Sequence, residues 1–125
     1  MNYPSRHVCV PKYRNQKTVA ETKDGLQTFD SRKEARRYQF LRFLEMNGRI
    51  SDLKTQVRYE VIPKQENESG DVVRPCVYIA DFVYTQDGKT IVEDVKGYKN
   101  GTAYELFKLK KKLMLYRFGI TVKEV

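Results

Sequence analysis

Four ionisable residues stand where strands should be apolar. Asp81 interrupts VYIADFVY, and Glu93, Asp94 and Lys96 interrupt TIVEDVKG. Strand side chains alternate between faces, so Asp94 and Lys96 share one face, whereas Ile91, Glu93 and Val95 share the other. The Gln86-Asp87-Gly88 segment between the two runs predicts a tight hairpin turn. Centred on Asp87-Gly88, that turn sets Asp81 almost directly across from Asp94, at a cross-strand distance of about 5 Å. Two carboxylates that close repel unless a cation lies between them. A hard, oxygen-ligated ion such as Mg²⁺ relieves the conflict and keeps open positions for water and phosphate. Lys96 is placed to hold or deprotonate an attacking water and to offset charge building on a phosphate. The same residues admit a plainer reading, an Asp81–Lys96 salt bridge on a solvated sheet face.

The elements that position these residues follow from the pattern around them. Residues 1–16 carry Pro4, Pro11 and scattered basic residues without periodicity and read as an arm; residues 17–125 read as one domain. In TVAETKDGLQTF, Asp24-Gly25 predicts a hairpin. DSRKEARRYQFLRFLEMN predicts a helix from Asp30 to Asn47, opened by Ser31 with Glu34 three residues on and closed by Gly48. Glu34 has two readings: the second half of a capping box, or a carboxylate turned toward the sheet on the face of Tyr38 and Leu41. QVRYEVIP predicts a half-buried strand, and QENESGDVVRP a polar loop. After a glycine-bearing loop at 97–101, a second helix is expected, with Leu106, Leu109, Leu113 and Tyr116 on its buried face and Gly119 at its end. ITVKEV then predicts a last strand parallel to Ile91–Lys96 through a right-handed crossover. The order is αβββαβ around a four-stranded mixed sheet flanked by helices, with an added N-terminal hairpin.

Composition narrows the partner. Lys and Arg number 24 against 16 Asp and Glu, a net charge of +8 with a pI near 9.5, which favours a polyanion such as nucleic acid. Arg32, Lys33, Arg36 and Arg37 on the first helix and Lys108, Lys110, Lys111 and Lys112 on the last are candidate phosphate contacts, or simply solvated helix faces. Tyr98 and Lys99 are candidates for a substrate-touching loop. Two cysteines, Cys9 and Cys76, and one histidine, His7, are too few for a disulfide framework or a zinc site. No apolar run is long enough for a membrane span, and MNYPSRHVCVPKYR lacks the apolar stretch of a secretion signal, so a cytoplasmic location is expected.

An acid in one strand, a turn, an acid-x-Lys triplet in the next, a preceding helix bearing a Glu and a following helix and strand resemble the PD-(D/E)XK nuclease superfamily. FDSRKEARRY, ISDLKTQV, YIADFVY, VEDVKGYK and GITVKEV are similar, more closely, to a small, largely phage-encoded family formerly described as a domain of unknown function (DUF1064-like). The resemblance covers about residues 17–125 and implies a restriction-endonuclease-like fold. It further implies Mg²⁺- or Mn²⁺-dependent endonucleolytic hydrolysis of DNA. Asp81 and Asp94 would bind the metal with the Val95 carbonyl, Glu34 would help bind metal or position water, and Lys96 would handle the water. Ala80 stands where the superfamily's namesake has proline. A chain this small has no room for a separate sequence-reading domain. That points to a structure-selective enzyme, such as a dimeric Holliday junction resolvase in phage recombination or replication. An end-processing or packaging-associated nuclease, or a non-catalytic DNA-binding accessory protein, is the alternative.

Overall fold

The computed structural model describes residues 17–125; the expected arm at 1–16, with His7 and Cys9, lies outside the described residues. Strands β1 (Thr18–Thr22) and β2 (Gly25–Phe29) pair antiparallel around Lys23-Asp24. Helix α1 (Arg32–Met46) starts where expected: Ser31 is extended and its Oγ accepts from the Glu34 N–H at 3.1 Å. That bond satisfies one of the orphan donors of the first turn.

Strand β3 (Ser51–Ile62) pairs antiparallel with β6 (Cys76–Gln86). The segment between them, expected as a loop, folds back as a small ladder of β4 (Gln65–Glu66) and β5 (Val72–Val73). Asn67 closes it by accepting the Ser69 and Asp71 N–H groups on its side-chain oxygen, a side-chain-built turn that the segment's polarity alone does not disclose. Strand β7 (Lys89–Asp94) follows the Asp87-Gly88 turn, where both residues have positive φ (52° and 76°), as a two-residue hairpin with the twist of its strands requires. Helix α2 (Gly101–Phe118) ends at Gly119 in the left-handed region (φ 69°), and β8 (Lys123–Glu124) runs parallel to β7. The central sheet has the order β3-β6-β7-β8 and is mixed, as expected. Among the described residues no helix is long and apolar enough to cross a membrane.

Each helix covers one face. Phe29, Tyr38, Leu41, Leu53, Phe82 and Tyr84 pack on the α1 side. Val61, Tyr78, Ala80, Val92, Phe107, Met114 and Val122 pack on the α2 side. The expected buried face of α2 is corrected here. Leu106, Leu109 and Tyr116 are 49%, 54% and 89% exposed; of the expected four only Leu113 packs, half-buried, against the core, and the residues the helix buries are Phe107 and Met114. The true inner stripe is Tyr104, Phe107, Lys111 and Met114, which has the same three-four-three spacing as the outer one. Lys111 breaks its apolar run, because the ammonium bonds Glu124 of β8 at 2.9 Å.

Glu93 is fully buried on the α1 side, as its parity demands. Arg37 donates to it twice, Nε to Oε1 at 2.8 Å and Nη2 to Oε2 at 2.7 Å, and the Tyr84 hydroxyl donates to Oε2. Arg37, a candidate phosphate contact by sequence, therefore spends its guanidinium inside the fold.

Candidate active site

Asp94 ends β7 with its side chain on the α2 face. Its Oδ2 accepts from the Tyr78 hydroxyl at 2.6 Å, and its Oδ1 lies 3.0 Å from Lys96 Nζ. Val125 N–H donates to the Asp94 carbonyl, and Lys96 N–H to the Val125 carbonyl, so the last strand holds the acid-x-Lys backbone from both ends. Asp81 reaches the same place from β6: its Oδ2 accepts the Val95 N–H at 2.9 Å. The expected shared face of Asp81, Asp94 and Lys96 is what the fold presents.

Asp81 sits where two strands turn over together. On β6, Tyr78 and Ala80 pack against α2 but Phe82 and Tyr84 pack toward α1, although even-numbered residues should keep one face. On β3, Leu53 faces α1 while Val57 and Tyr59 face α2. Pairing runs unshifted from Val57↔Ala80 to Thr55↔Phe82, with Gln56 at φ 53° between them. The exchange of faces happens at Gln56 and Asp81, and both side chains reach the cleft there. Gln56 Nε2 donates to Glu34 Oε2 at 3.2 Å and lies 3.5 Å from Asp81 Oδ1, linking α1 to the strand pair. Glu34 thus combines its two sequence readings: Ser31 caps the helix through the Glu34 backbone, while the Glu34 carboxylate turns to the site.

These residues line a cleft of about 550 Å³ shared with Lys33, Ile79, Phe107 and Lys110. Burial, together with the negative charge of Asp81, Asp30 and Asp94, pushes Glu34 up to about 7, with the Asp30 backbone N–H opposing. Asp81 is raised well above the usual carboxylate range, first by burial and then by Asp94 beside it, while the Val95 N–H and Lys96 pull it back. Two hard oxygen donors in such conflict fit a divalent cation. Asp81 Oδ1 faces Gln56 Nε2 at 3.5 Å, while its partner oxygen is tied to the Val95 N–H. Among the described residues no three His, Cys, Asp or Glu side chains form a ready metal cluster. Glu34 joins the aspartate pair through Gln56.

The conflict has a measurable consequence. Raising an acid's pKa from 4.5 to about 7 on folding gives stability that is complete below the unfolded value and lost as pH rises through the folded one. Glu45 and Glu124, lowered by their lysine partners, titrate below this window. In EDTA the chain is therefore expected to lose on the order of 2 kcal/mol between about pH 5 and pH 8, allowing for solvent in the open cleft. Mg²⁺ should restore much of it at the upper end. Melting temperatures at the two pH values, with and without the cation, check this.

The remaining candidates scatter. Lys33 donates to the Lys96 carbonyl at 2.6 Å at the cleft edge. Arg32 and Arg36 border a separate groove against β1. Tyr98 lines an adjoining hollow with Lys96 and Tyr104. Lys99 lies 3.8 Å from Glu124, and Lys111 is committed to the same carboxylate. Lys108 pairs with Glu105, and Lys112 is exposed. Gln56, Tyr78 and Phe107 are not legible as site residues in the sequence; the β3–β6 register and the face exchange bring the first two, and the packing of α2 on the sheet brings Phe107.

A family model described as "Protein of unknown function (DUF1064)" matches residues 10–124. No curated protein and no solved structure matches the chain.

Proposed function

The chain belongs to the DUF1064 family, and from that premise we propose that it is a metal-dependent DNA endonuclease of the PD-(D/E)XK type. The observation that carries this reading is the contact set itself: Asp81 beside Asp94, with Lys96 3.0 Å from Asp94. A Mg²⁺ or Mn²⁺ ion at the aspartate pair would polarise the phosphodiester and lower the pKa of its attacking water. Asp81 and Asp94 would hold it, with the Val95 carbonyl as a further oxygen. Lys96, as an ammonium, would orient the water and steady charge building on the phosphate. Glu34, raised to about 7, accepts a hydrogen bond from Gln56 and would order water at the cleft edge. Lys33 and Lys110 flank the cleft, where they meet neighbouring phosphates.

The substrate we favour is branched DNA, cut as a Holliday junction resolvase would cut it, by a homodimer in a phage-infected bacterial cytoplasm. Among the described residues a single domain carries the whole cleft and its flanking lysines, which favours shape over sequence as the feature recognised. A second reading, DNA binding without cleavage, is favoured by one observation. Both oxygens of Asp94 are already engaged, by Tyr78 and Lys96.

Four-way junction, duplex, flap and single-stranded DNA, each offered with Mg²⁺, Mn²⁺ or EDTA, separate the readings. Cleavage fastest on the junction and abolished by EDTA is expected, with a dimeric mass in solution. Tight binding with no cutting under any metal would move the chain to the accessory reading. Cutting of another DNA form by a strict monomer would favour end-processing.

A further inference from the structure

Lys96 has a second partner. Its Nζ stands 3.7 Å from the centroid of the Phe107 ring, closer than any other cation in the described residues stands to a ring. Phe107 is 5% exposed and braced by Tyr78 and Tyr104, at centroid distances of 6.2 and 5.9 Å. The ring is thus a fixed surface. The Lys96 backbone is equally fixed, by its N–H on Val125 and its carbonyl under Lys33. Only the four-carbon stem is free to choose where the ammonium goes, and the attractions on offer are the aspartate carboxylates, Asp94 nearest, and the ring face.

Those attractions differ in what a cation does to them. A divalent ion at the aspartate pair competes with Lys96 for Asp94 and repels its ammonium. A ring face binds the ammonium through its quadrupole and makes no comparable claim on a hydrated, oxygen-seeking ion. Resting on the nuclease reading for its chemical consequence, we propose that Phe107 is a positioning residue. Its ring seats the Lys96 ammonium in the cleft and keeps it there when Asp94 turns to the metal. Lys96 is then held against the reacting phosphate by α2, an element that carries none of the cleft acids Glu34, Asp81 and Asp94.

Two measurements test this, one of them independent of cleavage. In protein ¹³C-labelled at lysine, the Lys96 ε-methylene protons should be shifted upfield by the ring. Lys96→Arg identifies the signal. It should stay upfield when Mg²⁺ is added and return to the ordinary lysine position in Phe107→Leu. The second measurement replaces Phe107 with 3,4,5-trifluorophenylalanine, which keeps the shape and drains the ring face. The turnover number should fall by about ten-fold, with KM and melting temperature unchanged. Trifluorophenylalanine cutting at the wild-type rate, or no upfield lysine signal in the wild type, overturns the proposal. A wild type that keeps the shifted signal and cuts no DNA supports the seat and sinks the nuclease reading alone.

Discussion

Asp94→Asn is expected to cut DNA about a thousand-fold more slowly than wild type while folding and binding DNA normally. The amide keeps the shape of the carboxylate, and its oxygen can still accept from the Tyr78 hydroxyl, so the α2-side core around Tyr78 is undisturbed. What disappears is the charge. The metal loses its second anionic ligand, and Lys96 loses its ion-pair partner. Removing that charge also removes one cause of the raised Asp81 pKa, so in EDTA above neutral pH the variant should melt no lower than wild type. Single-turnover cleavage beside melting curves checks both halves. Loss of activity accompanied by a large fall in stability would show that Asp94 is structural. Because Asp81 and Asp94 act on the same ion, Asp81→Asn added to Asp94→Asn should cost little more than either alone.

The largest effect on stability is expected at the other acid of the same strand. Arg37→Met leaves Glu93 fully buried with only the Tyr84 hydroxyl to solvate it. Breaking such a pair from one side costs about 3–5 kcal/mol, a large share of the roughly 5–15 kcal/mol that holds a domain folded. Urea unfolding should report that loss. Replacing both partners, Arg37→Met with Glu93→Leu, should recover most of it, since an apolar pair of similar volume leaves no stranded charge. The double variant should cut DNA at close to the wild-type rate. If it were as inactive as Asp94→Asn, Glu93 would belong to the chemistry after all.

The contrast between Glu93 and Asp94 marks how far residue order alone could reach. Alternation along one strand separates the two acids, and the Asp87-Gly88 turn aligns Asp81 with Asp94, because both rules act over a few residues and the turn fixes the register. Ser31 and Gly119 bound their helices for the same local reason. Gln56 and Tyr78 are different. They meet the site through a β3–β6 register separated by a long connection, and through a reversal of faces at Gln56 and Asp81 that breaks the alternation a strand should show. Helix α2 carries two stripes of equal spacing. The buried one was masked by Lys111, whose reason for being there is Glu124 at the far end of the chain. Arg37 was masked the same way: a basic residue on a helix reads as surface until its partner is known to lie beneath it. Glu34 is the instructive middle case. Its spacing from Ser31 was visible, and so was its helix face, but only the fold shows the backbone serving one role and the carboxylate the other.

The most direct test of the site is a single cleavage time course on labelled four-way junction DNA. Wild type and Asp94→Asn, purified in parallel, are each run in Mg²⁺ and in EDTA. Cutting by wild type in Mg²⁺ alone, with no product from the variant or from either chain in EDTA, is the predicted result. Equal cutting by wild type and variant, or cutting that survives EDTA, would contradict a metal-dependent site built on Asp81, Asp94 and Lys96.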